Sequence, residues 1–300
     1  MSHSFLESKD HHSPFLRDAM QGAESGIIDA HQHFWQFDPV RDNWITEEMK
    51  VIQRDFMPRD LEPILKENGV AGTVIVQSDQ SEKENEFQLN NANRNDFIKG
   101  LVGWIDLQAE NAEERLEYYQ QFEKMKGFRH VLQGEEDRAL MLKPHFKRGI
   151  GLLNKYNYTY DILIFPDQLQ YVPAFVAEFP EQKFAIDHLA KPYIKDKKIS
   201  EWKKQIEAVA MHENVCCKLS GMVTEADWKN WRHEDFTPYL DVVVNAFGIN
   251  RVMYGSDWPV CLCAASYADV LNITKQYFSS FSADEQQKFF TNNTILFYHL

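Results

Sequence analysis

The segment His31-Gln32-His33 is the first place along the chain where residue types and their spacing predict chemistry. Residues i and i+2 of a β-strand point to the same side, so a strand here turns both imidazoles in one direction. Two convergent imidazoles are typical of zinc sites, in which the Zn–N distance is about 2.0–2.1 Å. The pair also fits two histidines on an exposed edge strand, and other residues must decide between these interpretations.

Two further polar residues stand where apolar runs end. His188 follows the run ending at Ile186, and Asp257 follows the run ending at Tyr254. A satisfied core histidine and a turn aspartate are the alternative interpretations. Three imidazoles and one carboxylate can hold one divalent metal or work around a water molecule. The aspartate can accept a proton from attacking water, and a metal or protonated histidines can polarise a carbonyl.

This set predicts hydrolysis of an ester or lactone without a covalent intermediate, because no Gly-x-Ser-x-Gly segment supplies a serine nucleophile. The four residues need a scaffold that brings distant strand ends together. Eight short, mostly apolar runs are predicted as buried parallel strands. They are Ile27–Asp29, Gly72–Gln77, Gly100–Leu107, Gly127–Leu132, Thr159–Phe165, Lys183–His188, Asn214–Ser220 and Arg251–Gly255.

Amphipathic helical patterns separate these strands. Examples are Phe146/Ile150/Leu153, Trp202/Ile206/Val209 and Leu240/Val243/Val244/Phe247. Ser81-x-x-Glu84 and Ser282-x-x-Glu285 are typical of capping boxes that open helices. Eight strand–helix repeats favour an α/β fold closed into a (β/α)8 TIM barrel, with its chemistry at the carboxyl ends of the strands. An open doubly wound sheet would normally show a Gly-rich turn after its first strand, and none is present.

The rest of the sequence predicts the domain organisation and the classes of partner. Residues 1–25 are polar and are interpreted as a flexible native extension or a cloning remnant without a secretory signal. Residues 26–300 are predicted as one domain, with a last helix near Ser282–Asn292 packed on the outside. A net charge of −13 argues against nucleic acid and anionic membranes as partners. The four cysteines are predicted to be reduced thiols of a cytoplasmic protein, and a homo-oligomer is compatible with the sequence.

Taken together, three motifs resemble the amidohydrolase-related family (amidohydrolase 2), and within it the sugar-acid lactonase branch of L-fuconolactonase and L-rhamnonolactonase. The motifs are the His-x-His pair, Asp187-His188-x-x-Lys191-Pro192 and Gly255-Ser256-Asp257-Trp258-Pro259. The likeness continues through 104–107, 127–133 and 218–221. The resemblance implies an amidohydrolase-type barrel and hydrolysis of an aldonolactone, such as L-fuconolactone or L-rhamnonolactone, to the aldonic acid. It places His31, His33, His188 and Asp257 at the core of the site.

The chain departs from binuclear members of the wider superfamily. Its fifth strand ends Ile164-Phe165-Pro166 without a histidine, and its fourth offers Arg129 and His130 rather than a bridging lysine. We therefore expect one divalent metal, zinc, on the four core residues, or none.

Six other residues near strand ends are predicted to contact substrate. Arg129 and Gln133, on one strand face, are candidates for binding hydroxyls or the developing carboxylate, although Arg129 also fits a salt bridge. The others are Lys191 as a source of positive charge, Gln77 as a hydrogen-bonding partner, and Trp35 and Trp258 as stacking platforms. A solvated loop lysine and tryptophans packed under the loops are the alternatives. The segment 37–58 is expected to cover the mouth or wrap its rim, and His130 to be structural.

Two alternative reactions and one non-enzymatic role remain open from the sequence. A metal-dependent decarboxylase of the same superfamily commonly has an acidic residue two or three positions before the first histidine; Asp29 is close, but the motif differs. A lactonase acting on a non-sugar dicarboxylate lactone is the second alternative. A binding protein or decayed homologue is the third, and the intact set of catalytic residues argues against it.

Overall fold

A computed structural model describes residues 26–300 of the chain; the prediction for residues 1–25 lies outside the described residues. Eight parallel strands follow one another in chain order around a single sheet. They are β1 Ile27–Gln32, β2 Val70–Val76, β3 Ile98–Gly103, β4 Met125–His130, β5 Thr159–Ile162, β6 Phe184–Ile186, β7 Val215–Leu219 and β8 Val252–Tyr254. The predicted (β/α)8 barrel is confirmed.

The barrel closes along a seam between β1 and the segment that follows β8. Gln32 forms a parallel bridge with Trp258, and two backbone hydrogen bonds cross the seam. The His33 amide donates to the Trp258 carbonyl at 2.7 Å, and the Asp257 amide donates to the His31 carbonyl at 2.8 Å. The residues that close the barrel are therefore those of the predicted site and their neighbours.

The Asp29 carboxylate supports this seam from within β1. Its Oδ1 accepts the amides of His31 at 3.0 Å and Ser256 at 2.9 Å, and its Oδ2 accepts the Tyr267 hydroxyl at 3.0 Å. Burial raises the pKa of Asp29 to about 6. Its position near the first histidine thus has a structural explanation, since it ties β1 to β8.

Within residues 26–300, ten α-helices pack outside or beneath the strands. They are α1 Pro58–Asn68, α2 Glu82–Arg94, α3 Ala112–Tyr119, α4 Pro144–Leu153, α5 Val172–Ala177, α6 Ser200–Ala210, α7 His233–Phe247, α8 Tyr267–Tyr277, α9 Ala283–Gln287 and α10 Asn293–Tyr298. The predicted apolar stripes of α4, α6 and α7 are buried in the main core. Ser81 caps α2, and Ser282 forms a capping box with Glu285 at the start of α9.

The last helical segment differs from its prediction. It runs from α9 through a π-helical turn at Lys288–Asn292 into α10, ending at Tyr298 rather than near Asn292. Phe297 and Tyr298 are buried against a small cluster inside the barrel, separate from the main core. The helix is therefore not wholly on the outside, because aromatic residues at its end fill the interior.

The strand boundaries differ from prediction mostly at the carboxyl ends. β4 ends at His130, so Gln133 lies in a 3₁₀ turn (Leu132–Gly134) and not on a strand face with Arg129. Apolar residues continue past the ends of several strands into buried loops. Hydrophobicity alone therefore does not show where a strand ends and a buried loop begins. The segment 37–58 carries a 3₁₀ helix at Glu47–Ile52 and is held by an antiparallel bridge between Trp35 and Phe56.

No helix in residues 26–300 combines the length and the apolar character needed to cross a membrane. The four cysteines lie in the described part of the chain and none is paired in a disulfide.

Candidate active site

Three histidines and one aspartate from three strand ends converge at the mouth of the barrel. Asp257 Oδ1 lies 3.3 Å from His33 Nε2 and 3.8 Å from both His31 Nε2 and His188 Nε2. The Nε2 atoms of His31 and His33 are 3.2 Å apart. All four residues are at most 5% exposed. The structure thus brings together the core set that the sequence predicts.

His33 is oriented by the backbone of the neighbouring strand. Its Nδ1 donates to the carbonyl of Val76, the last residue of β2, at 2.7 Å. This bond leaves Nε2 facing Asp257 and His31.

His31 is held by charged side chains instead. Its Nδ1 lies 3.2 Å from Lys218 Nζ and 3.2 Å from Asp187 Oδ1. Lys218 Nζ also contacts Asp161 Oδ2 at 2.5 Å and Asp187 Oδ1 at 2.9 Å, and Arg129 Nη1 donates to Asp187 Oδ2 at 3.0 Å. Arg129, Asp161, Asp187 and Lys218 form a buried ion network beneath the histidines.

The ion network keeps the Asp187 carboxylate charged, and burial favours the neutral form of His31. Burial alone would raise the pKa of Asp187, but Lys218, His31 and Arg129 hold it well below its ordinary value. Burial lowers the pKa of His31 well below its usual range. A buried charge is tolerated only when it is paired and hydrogen-bonded, and here each cation has a carboxylate partner.

His188 lies on a strained backbone. Four consecutive residues, His188 to Lys191, have φ between 51° and 56°, and Asp257 has φ 57°. Non-glycine residues rarely adopt this left-handed region, and such strain persists where the surroundings enforce it, often at functional sites. The Ser220 hydroxyl lies 2.8 Å from His188 Nδ1 and orients the ring. Burial lowers the pKa of His188 to about 4, so the ring is neutral at neutral pH.

Gly221 makes room for this ring. Its φ is +62°, and a Cβ there would lie 2.6 Å from His188 Nδ1. A larger residue would therefore displace the histidine as well as strain the backbone.

Asp257 is ionised in this setting. Burial alone would raise its pKa, but its contacts with His188, His33 and His31 hold the pKa well below the ordinary value. Its left-handed backbone aims the carboxylate back toward the histidines across the seam.

The donor atoms fit a single divalent metal. His31, His33 and Asp257 offer ligand atoms within 4.8 Å of one another, and His31, Asp187 and His188 form a second such group. Imidazole and carboxylate donors suit zinc, and three protein ligands with an open position are typical of catalytic zinc sites.

Arg129 and Gln77 lie under the mouth rather than in it. Arg129 Nη2 donates to the Gln77 carbonyl at 2.5 Å, and Gln77 Nε2 donates to the Arg129 carbonyl at 3.1 Å. Both side chains are buried, while Arg129 Nε and Gln77 Oε1 have no protein partner. The structure thus gives Arg129 the salt bridge that the sequence left as its alternative role. The pair cross-links β2 and β4 beside the histidines.

Lys191 and Gln133 lie at the rim. Lys191 Nζ is 3.6 Å from Glu225 and 5.6 Å from the centre of the Phe165 ring. Burial raises the pKa of Glu225, with Lys191 opposing that shift. Gln133 is half-buried, and its Oε1 is enclosed without a protein partner.

The two predicted stacking tryptophans are each 1% exposed. Trp35 donates its indole N–H to the Arg54 carbonyl at 2.9 Å and packs on Trp44, whereas Trp258 packs edge-on against Phe34 and Phe56. Both lie in the packing under the loops, with no ring face open to a ligand.

His130 has a structural environment. It lies between the Trp104 indole N–H at 3.4 Å and the Glu135 carboxylate at 2.6 Å, and its ring packs on Phe146. Its two nitrogens are both engaged away from Asp257.

Several residues that hold the site were given no role by sequence reasoning. Asp187, Lys218 and Ser220 stood inside quoted motifs, while Asp161 belongs to a predicted strand. A signal was available for two of them: Asp161 and Lys218 are lone charges inside otherwise apolar parallel strands. Such charges are almost never buried unless paired.

Comparison with known proteins agrees with this geometry. A family model described as amidohydrolase matches residues 28–300. The chain belongs to the amidohydrolase family. It is 37% identical to an L-fucono-1,5-lactonase of Burkholderia multivorans over 84% of this chain and 88% of that protein. A second L-fucono-1,5-lactonase, from Burkholderia ambifaria, is 36% identical over 81% of this chain and 83% of that protein.

A crystal structure of an amidohydrolase from Burkholderia multivorans with bound zinc superposes with a TM-score of 0.89 at 36% identity. The match covers 92% of this chain and 100% of that one. The family resemblance drawn from the motifs is therefore confirmed.

Proposed function

We propose that this protein hydrolyses a sugar-derived lactone, of the L-fucono-1,5-lactone type, to its aldonic acid, with Asp257 as the general base. One observation carries the proposal: Asp257 Oδ1 lies within 3.8 Å of Nε2 of all three histidines. A carboxylate and three imidazoles at one point can remove a proton from water and receive negative charge on a carbonyl oxygen. The similarity to two L-fucono-1,5-lactonases supports the substrate class.

Asp257 acts on the attacking water. The histidines keep the carboxylate ionised, so it accepts a hydrogen bond from water before attack and the proton during attack. Its rigid left-handed backbone and the seam hydrogen bond from its own amide fix the direction of approach. The bond between the carbonyl carbon and the ring oxygen then breaks, and the ring oxygen leaves as a hydroxyl group by taking up the proton that Asp257 removed from water.

The histidines face the lactone carbonyl. His188, fixed by Ser220, presents Nε2 from the opposite strand end to His33. His31, His33 and Asp257 would hold one zinc ion. When bound, zinc would polarise the carbonyl and acidify water.

Lys191 is the residue we assign to the sugar or the product carboxylate. It follows His188 by three residues, and its side chain is 19% exposed. Glu225 and the Phe165 ring position its ammonium at the mouth, where it offsets the charge that develops on ring opening. Gln77 and Arg129 lie below the mouth of the barrel, where they support the residues of the site rather than contact the substrate. A cytoplasmic location fits the four unpaired cysteines.

A panel of aldonolactones tests the proposal. Acid release is followed with a pH indicator for metal-free and zinc-loaded protein, and six-carbon deoxy-aldono-1,5-lactones of the L series are expected to be turned over fastest. Release of carbon dioxide from aromatic acids, with no lactone opened, would contradict it.

Asp257→Asn is expected to lower kcat by about 10²–10⁴-fold, because the amide cannot take the proton from water. Asp284→Asn is the matched control, since this carboxylate is 72% exposed on α9. Wild-type turnover by Asp257→Asn on an active lactone would remove the assignment of the base.

A further inference from the structure

The Lys218 side chain is wholly buried inside an otherwise apolar strand. Its ammonium group has three neighbours: Asp161 Oδ2 at 2.5 Å, Asp187 Oδ1 at 2.9 Å and His31 Nδ1 at 3.2 Å. Asp161 Oδ2 and His31 Nδ1 are its hydrogen-bond partners and Asp187 Oδ1 is an ion-pair partner; because an ammonium has no lone pair, it is the donor in each hydrogen bond. His31 Nδ1 is then an acceptor, and the ring proton is on Nε2.

A second contact, on the other side of the His31 ring, gives the same answer. His33 Nδ1 donates to the Val76 carbonyl, so Nε2 of a neutral His33 ring is an acceptor. His31 Nε2 lies 3.2 Å from that atom and, when His33 is neutral, is the donor between them. Arg129 Nη1 donates one proton to Asp187 Oδ2 at 3.0 Å and also lies 3.4 Å from His31 Nε2. This longer contact favours the opposite tautomer, and the Lys218 contact with Nδ1 at 3.2 Å opposes it.

Metal binding needs the other tautomer. A metal binds the lone pair of Nε2, so the proton must move to Nδ1. Nδ1 has an acceptor for that state as well, because Asp187 Oδ1 lies 3.2 Å away. This oxygen and the Lys218 ammonium therefore compete for the same nitrogen of His31.

We propose that Lys218 is a positioning residue that selects the tautomer of His31. It holds the proton on Nε2, where the ring donates a hydrogen bond to the lactone carbonyl, and it weakens the binding of a divalent metal at His31, His33 and Asp257. The donor role rests on the proposed lactonase function; the effect on metal affinity does not.

The test replaces Lys218 without leaving a lone charge. Lys218→Met/Asp161→Asn removes one cation and one anion, so the net charge is unchanged and Asp187 keeps Arg129 as its partner. His31 Nδ1 then has only Asp187 as a polar neighbour among the contacts above. We expect zinc to bind the double variant about 10- to 100-fold more tightly than wild type, measured by competition with a chromophoric chelator. Asp161→Asn alone keeps Lys218 and is expected to show no tightening.

The wild-type protein provides a second readout that does not depend on a variant folding. Nitrogen-15 spectra of metal-free protein labelled at histidine, with His31→Gln used for assignment, are expected to show the Nε2–H tautomer for His31. The Nδ1–H tautomer, or unchanged zinc affinity in the double variant, would overturn the inference.

Turnover separates this inference from the proposed function. Metal-free turnover is expected to fall by about 10²-fold in the double variant, as for loss of an oxyanion donor. If the wild-type protein opens no lactone, the proposed function fails while the zinc and nitrogen-15 results still decide the role of Lys218.

Discussion

The interior of the barrel is lined differently on its two sides. On the side formed by β1–β3 the interior holds the aliphatic residues Ala30, Val74, Val76 and Val102, which cluster with Ala185 of β6 and Met253 of β8. The side formed by β4–β7 carries the buried ion network of Arg129, Asp161, Asp187 and Lys218. Both sides support a histidine, but they use different means.

On one side of the barrel the side chains contribute packing volume, and on the other they contribute charge and hydrogen bonds to the site. On the aliphatic side a backbone carbonyl, that of Val76, orients His33, so side chains there need only fill volume. On the charged side the side chains themselves contact His31, and a change in any of them alters the hydrogen bonds of a reacting group. Substitutions on the aliphatic side should change stability alone, and those on the charged side should change stability and chemistry together.

Asp187→Asn removes a charge from the centre of the ion network and is expected to have the largest effect. It leaves Lys218 and Arg129 short of a buried partner, and we expect a loss of about 3–5 kcal/mol in the free energy of unfolding in urea. Turnover should fall about 10- to 100-fold, since the hydrogen bonding of His31 changes as well. Glu178→Gln is the control, because it breaks a partly exposed pair with Lys147 and should cost at most about 1 kcal/mol. If Asp187→Asn were as stable and as active as wild type, the proposed difference between the charged and the aliphatic side would be wrong.

Val102→Ala makes the corresponding change on the aliphatic side. Deletion of two buried methyl groups, with the cavity that remains, is expected to cost about 2 kcal/mol in the free energy of unfolding. kcat and KM of the folded enzyme should stay at wild-type values. A fall in kcat comparable to that of Asp187→Asn would show that volume, too, controls the chemistry.

Tyr298→Phe gives the smallest expected effect and shows how far the ion network extends. The Tyr298 hydroxyl, from α10, lies 2.9 Å from both oxygens of Asp161. Its loss should cost about 1 kcal/mol in the free energy of unfolding. In an Asp161→Asn background the same substitution should cost clearly less, as expected for residues in direct contact. Equal costs in both backgrounds would place Tyr298 outside the network.

The sequence was informative about the parts that repeat or cluster locally. The His31/His33 pair, the apolar runs and the capping serines are each visible within a few residues, and they predicted the barrel and its four core residues. The ion network was not visible in this way. Asp161 and Lys218 are separated by 57 residues, and only the closed barrel shows that they are partners.

Burial explains the remaining differences. Trp35 and Trp258 flank the site in sequence, but their size and apolar surface place them in the packing under the loops. Arg129 stands at the end of an interior strand, where a buried cation needs a carboxylate more than a substrate does. Neither outcome can be inferred from position along the chain.

The seam between β1 and β8 has a consequence for how activity is acquired during folding. His33 and Asp257 are 224 positions apart, and contacts between such distant segments form slowly because a long loop must close first. An intermediate whose middle strands have paired, but whose first and eighth strands have not joined, has most of its secondary structure and no active site. On refolding from urea, the return of catalysis should therefore lag behind the return of the circular dichroism signal.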